Sequence, residues 1–162
     1  MSSTLFVDAI EPNLSSGVHI AGHVIQVQSR KVTNTGYTST TATMVDITNF
    51  YVDITPKYSN SLLHFSANLH ASTSVSLGYA RFRIVDTNNG STLWNTNTYC
   101  GAMGYNSSVN EMHNLTMTHT KAAGTTNTMR LQVQVKVDGG GNWSLSWSGS
   151  DDLNITLMEI AQ

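Results

Sequence analysis

The chain has 162 residues and one cysteine, enough length for a single domain with a full apolar core and no chemistry for a disulfide or a thiolate metal cluster. Eight Lys and Arg against ten Asp and Glu give a formal charge of −2, which lacks the basic footprint that phosphate-backbone binding requires and excludes nucleic acid as a partner. Charged residues make up only 11% of the sequence, while Ser, Thr and Asn together supply about a third, so the expected surface is built of hydroxyls and amides.

In chain order, the opening segment Leu5-Phe6-Val7-Asp8-Ala9-Ile10-Glu11-Pro12 is apolar, yet too short and too acidic for a signal peptide. It reads as an N-terminal arm over residues 1–22, ahead of one β domain over 23–162. Strand-period patterns follow. His23 to Gln28 is the first. Phe50, Val52 and Ile54 alternate with Tyr51 and Asp53, and Leu63, Phe65, Ala67 and Leu69 alternate with His64, Ser66, Asn68 and His70. Ala80, Phe82 and Ile84 alternate with Arg81 and Arg83, and Met112 to Thr120 is a further strand. Met129 to Val137 is the clearest case, with every odd residue apolar and every even one polar. Trp143, Leu145 and Trp147 share one strand face, which places the two tryptophans in the core, and Leu153 to Ile160 closes the chain.

Turn-forming clusters at 55–60, 86–90, 122–124 and 138–142 separate these runs, and helical periods are nearly absent. The expected fold class is all-β, an antiparallel β-sandwich of jelly-roll type with roughly eight strands and an extended N-terminal arm. Two polar stretches, Thr33 to Thr43 and Tyr99 to Asn110, read as long loops. The glycines at 139–141 read as a hairpin turn, because neither a following helix nor the Lys-Ser/Thr of a phosphate-binding loop accompanies them.

Catalytic patterns do not emerge. No serine or threonine sits in a nucleophile elbow, and Asp151-Asp152 with the isolated Asp46, Asp53, Glu111 and Glu159 read mostly as turn or surface carboxylates. An enzyme is not expected. His19, His23, His64, His70, His113 and His119 fall in pairs four or six apart, and six residues of extended chain span roughly 20 Å, too far to share an ion within one strand. No metal and no cofactor are expected. Absence of any long apolar run excludes membrane insertion by a helix. Tyr37, Tyr99 and Tyr105 lie in the two long polar loops beside Asn and Ser, the combination with which a protein surface stacks and hydrogen-bonds a sugar, and form the candidate glycan-binding set.

Four stretches carry a resemblance. Leu153-Asn154-Ile155-Thr156-Leu157-Met158-Glu159-Ile160-Ala161 resembles the closing strand of small jelly-roll modules in virion proteins of tailed bacteriophages, especially fibre, appendage and decoration proteins of marine phages. Asp53-Ile54-Thr55-Pro56-Lys57-Tyr58-Ser59-Asn60-Ser61-Leu62-Leu63 is similar to their middle signature, and Leu5 to Pro12 with His23 to Gln28 to their start. The resemblance implies a homotrimeric, complement-C1q/TNF-like jelly roll on the exterior of a phage particle. It also implies that the arm residues Leu5, Phe6, Val7 and Ile10 anchor the subunit to other virion proteins of the capsid, tail or fibre base. A tryptophan-rich strand from Asn142 to Ser148 and the lack of a fibrous shaft depart from the tail-fibre pattern and favour a short knob or decoration subunit. The rival expectation is an adhesin that recognises host-surface glycans through its loops.

Overall fold

A computed structural model describes residues 20–33, 38–73, 78–95, 103–104, 112–138, 143–145 and 152–162. The described residues contain strands and no helix. In chain order the strands are β1 (Val24–Thr33), β2 (Thr38–Ser39), β3 (Val45–Ile54), β4 (Leu62–Thr73), β5 (Gly78–Asp86), β6 (Ser91–Asn95), β7 (Met103–Gly104), β8 (Met112–Ala122), β9 (Met129–Asp138), β10 (Trp143–Leu145) and β11 (Asp152–Ile160).

All pairings are antiparallel and fall into two sheets. The first runs β1-β11-β4-β8, with β10 and β2 continuing the β11 and β1 positions further along β4. The second runs β3-β9-β5-β6, with β7 on β5. Taking β1 with β2, β6 with β7 and β10 with β11 as interrupted single strands, the order becomes first-eighth-third-sixth against second-seventh-fourth-fifth, the jelly roll expected from the sequence. Two of the expected long loops contain short paired pieces, β2 and β7, and β6 is a strand that the sequence patterns left out.

Alternation decides which side of each strand is buried, because successive side chains point to opposite faces. Phe50, Val52 and Ile54 of β3, Phe82 and Ile84 of β5, and Met129, Leu131, Val133, Val135 and Val137 of β9 face Leu63, Phe65, Ala67 and Leu69 of β4 and Leu153, Ile155 and Leu157 of β11 in one continuous core. Trp147 lies outside the described residues, as do Leu5, Phe6, Val7, Ile10, Tyr37, Tyr99 and Tyr105.

One alternation breaks for a physical reason. Gln132 belongs to the polar, outward set of β9, yet it is only 5% exposed. Opposite it β3 bulges. Asp46 pairs with Gln134 and Tyr51 with Gln132, so five steps of β3 oppose two of β9, and Asn49 takes a left-handed φ of 62° to turn the chain. The bulge strips backbone carbonyls of their ladder partners. The Gln132 amide replaces them, donating from Nε2 to Ile47 O at 2.8 Å and Phe50 O at 3.2 Å.

A second fastening joins the sheets at the edge where β1 meets β3. The Tyr51 ring has the Arg30 guanidinium 4.1 Å and the Arg130 guanidinium 4.0 Å from its centroid, and Arg130 holds Asp53 through two bonds of 2.8 and 2.9 Å. Arg130 therefore ties β9 to β3, and Arg30 reaches across from β1.

Replacing Gln132 by leucine keeps the volume and removes the donor, which leaves the Ile47 and Phe50 carbonyls buried without their partner. The variant Gln132→Leu is expected to lose about 1–3 kcal/mol of stability. A lower denaturation midpoint with an unchanged denaturant slope would be the signature; an unchanged midpoint would show that the bulge does not need the amide.

Candidate interaction face

The outward side of the first sheet is built in rows by the register of β11, β4 and β8. Asn154, Asn68 and Thr116 form one row, Thr156, Ser66 and Thr118 the next, then Met158, His64 and Thr120, and last Ile160, Leu62 and Ala122. No residue in these rows carries a formal charge at neutral pH. Cross-strand bonds hold the polar members in place: Thr116 Oγ1 donates to Asn68 Oδ1 at 2.8 Å, and Thr120 Oγ1 lies 2.8 Å from His64 Nδ1. On the flank, β1 sets Val24 opposite Ile160 and Val27 opposite Met158. Val24 and Val27 are 48% and 50% exposed, the most exposed large apolar side chains among the described residues. The face therefore grades from hydroxyl and amide rows into an apolar corner of Val24, Val27, Leu62, Met158 and Ile160.

The second sheet is the opposite case. Its outward positions carry Asp46, Asp53, Arg81, Arg83, Arg130 and Lys136. Arg83 Nε donates to Gln134 Oε1, and Gln134 Nε2 passes the connection to Asp46 Oδ1 at 2.6 Å. Asp53 is held below its ordinary carboxylate range first by the hydrogen bond from Arg130, against the opposing effect of burial, with the charges of Arg130 and Arg30 adding to the shift. Charge thus collects on the outward side of the second sheet and is absent from the four rows of the first, where exposed Lys31 of β1, opposite Asn154, stands at the flank.

What fixes the rows is Glu159. It stands at an inward position of β11, fully buried, so the expectation of a turn or surface carboxylate is wrong for this residue; Asp46 and Asp53 are exposed as expected. The sequence offered no signal for it because its partners lie about a hundred positions away and two of them are backbone amides. Oε1 accepts from Lys57 N at 2.8 Å, Tyr58 N at 3.1 Å and Ser61 Oγ at 2.6 Å, and Oε2 accepts from Gln26 Nε2 at 2.6 Å. Gln26 Nε2 also lies 2.8 Å from Thr55 O. Consecutive amides of the 55–61 turn form a concave anion seat, and the closing strand fills it. Burial pushes the Glu159 carboxyl up, but the bonds from Ser61, Gln26, Lys57 and Tyr58 outweigh it and leave the group below its usual range.

The described histidines do not converge on an ion: no group of three His, Cys, Asp or Glu among the described residues could hold a metal. Nor is any helix among the described residues long and apolar enough to cross a membrane. The proposed anchoring residues Leu5, Phe6, Val7 and Ile10 and the proposed glycan-binding residues Tyr37, Tyr99 and Tyr105 are not brought into this face, since all seven lie outside the described residues.

Because the folded carboxyl of Glu159 is lowered, its contribution to stability is complete above the unfolded carboxylate range and is lost as pH falls through the folded value. Melting temperature is therefore expected to fall as pH drops below about 4. The variant Glu159→Gln, which presents an amide nitrogen to donors, should cost about 2–4 kcal/mol at neutral pH and weaken that acid limb. An acid limb identical in the two proteins would assign it to other carboxylates.

Proposed function

We propose a function from the interaction face together with the fold, on which comparison with known proteins bears. No family model and no curated protein matches the sequence. Among solved structures, the VP2 subviral particle of infectious bursal disease virus is similar at a TM-score of 0.54 and 11% identity, over 98% of this chain and 42% of that one. A T=1 particle derived from the same virus gives 0.52 over 98% and 41%. Eiger TNF from S. frugiperda gives 0.52 at 11% identity, over 84% of this chain and 92% of that one. The chain thus spans about two fifths of the VP2 chain, and the likeness establishes a jelly-roll sandwich shared with a viral particle protein and a TNF protein.

We propose that the chain is a virion structural protein of a tailed bacteriophage, a short homotrimeric knob or decoration subunit on the particle exterior. Its N-terminal arm, with Leu5, Phe6, Val7 and Ile10, would anchor it to a capsid, tail or fibre-base protein. The observation that carries this reading is the uncharged face of β11, β4 and β8 with its exposed apolar corner. A surface free of ions can be buried against a copy of itself without stranding a charge, and exposed valines gain by leaving water. The shared fold with a particle protein and the resemblance of the Asp53 to Leu63 and Leu153 to Ala161 stretches to phage modules support the placement in a virion.

Subunit contact is a closed rotational arrangement, so one disruptive change is repeated at every interface. Sedimentation of the full chain at micromolar concentration should give three times the monomer mass. Introducing a charge in the rows, Ser66→Asp, should yield folded monomer by circular dichroism; a wild-type monomer would overturn the trimer.

Deleting residues 1–20 should leave the domain folded and abolish incorporation into particles, with unfolding of the truncated protein as the result against that division. Binding of purified trimer to host envelope polysaccharide, reduced at least tenfold by Tyr99→Ala with Tyr105→Ala, would instead favour the adhesin reading.

A further inference from the structure

We infer that His64 makes association through the β11-β4-β8 face sensitive to pH, with a charge on its imidazole driving the subunits apart; this rests on the reading of that face as the contact between copies of the chain. Histidine is the side chain whose ordinary charge change falls between about pH 5 and 8. His64 is half-buried in the middle of β4, in the row between Met158 and Thr120, next to the apolar corner.

Its surroundings decide the sign. On β8 the outward neighbours are Thr118, Thr120 and Ala122; on β11 they are Thr156, Met158 and Ile160; along β4 they are Leu62 and Ser66. None can supply a counter-charge. The nearest ionic residues in sequence on those strands, Lys121 and Glu159, stand opposite Leu63 and so belong to the inward side of the sheet. Glu159 is in any case occupied by Gln26, Lys57, Tyr58 and Ser61. A proton on the imidazole therefore places a cation among outward neighbours that offer it no counter-charge. Covering it with a second subunit removes its water and brings like charges from the other copies toward it.

The Nδ1 contact with the Thr120 hydroxyl does not oppose this. A threonine hydroxyl donates to neutral Nδ1 or accepts from the protonated ring, so the tether persists and the ring stays in the face when it charges. Two carboxylates do not compete for this effect: Asp53 and Glu159 are both held below the ordinary carboxylate range and stay ionised through the histidine range, and the His64 variants separate its part from that of His70, at an outward position of β4, and of His113 and His119 on β8.

The test is sedimentation velocity of the full chain at pH 7.5 and pH 5.5 and constant ionic strength, with circular dichroism to confirm folding at both. Association of the wild type should weaken at least tenfold at pH 5.5, that of His64→Gln should be unchanged between the two, and that of His64→Arg should be weak at both. Wild-type oligomer that is equally stable at both pH values overturns the switch and leaves the contact reading standing. A His64→Gln protein that still dissociates on acidification also overturns it, since another group then carries the effect. A wild type that is monomeric at pH 7.5 overturns the contact reading itself.

Discussion

The Glu159 carboxylate in its seat of amides is the interaction on which the surface order depends. It joins three parts of the chain that are far apart in sequence: the closing strand, the turn of residues 55–61 and, through Gln26, the first strand. An ionised carboxylate is acceptor-only with about four lone-pair sites, so one side chain satisfies four separate donors without needing a cation. A neutral amide in its place, with its oxygen kept on Tyr58 N and Ser61 Oγ, would turn a donor toward the Gln26 amide and the Lys57 N–H. The same turn is held from its other side by Ala123 N on Ser61 O and Gly124 N on Ser59 O, both at 2.8 Å, which carries the constraint on to the β8–β9 connection. Since a one-residue slip in a sheet exchanges its two faces, a pin at the end of β11 also fixes which residues of β11, β4 and β8 look outward.

The edges of the first sheet show how the molecule restricts the ways it can associate. β8 and β1 are its outer strands, and an unpaired strand edge invites pairing with another chain. Both carry polar residues at inward positions. On β8 these are His119 opposite Phe65 and Lys121 opposite Leu63; on β1 they are Gln26 opposite Glu159, Gln28 opposite Leu157 and Arg30 opposite Ile155. Extending the sandwich by adding a strand at either edge would bury these groups in an apolar layer. Growth by sheet extension is discouraged, and contact through a face is left as the less costly route.

Much of the architecture is legible in the sequence because burial on one face writes a period of two. The β9 run Met129 to Val137 and the β4 run Leu63 to Leu69 state their core residues directly, and every apolar member is buried. Features that break the period are invisible for an equally physical reason. Gln132 satisfies the polar position of its pattern and gives no hint that a bulge on β3 covers it. Glu159 looks like any polar residue of an alternating strand, because its donors are a turn's amides and two side chains remote in the chain. The β6 strand, Ser91–Asn95, is too short to display alternation. For the face itself the clue was the low content of charge, but composition cannot say whether charge is diluted evenly or gathered on one side.

Segregation is what the structure adds, and it separates the two contributions to assembly in the proposed trimer. Hydroxyl and amide groups leaving water for equivalent partners gain little, of the order of 1 kcal/mol per hydrogen bond. The rows of Asn, Thr and Ser are therefore suited to choosing register and orientation, since a misaligned contact leaves donors unmatched. Affinity has to come from the apolar corner, where each Å² removed from water contributes roughly 25 cal/mol. Val24 and Val27, half exposed beside Ile160 and Met158, are the side chains with the most to gain. Both lie at the start of β1, next to Gln26 and its bond to Glu159, so the same carboxylate that orders the polar rows also holds the apolar corner against them. Loss of that bond would loosen recognition and affinity together, even though Glu159 itself touches no part of the outer surface.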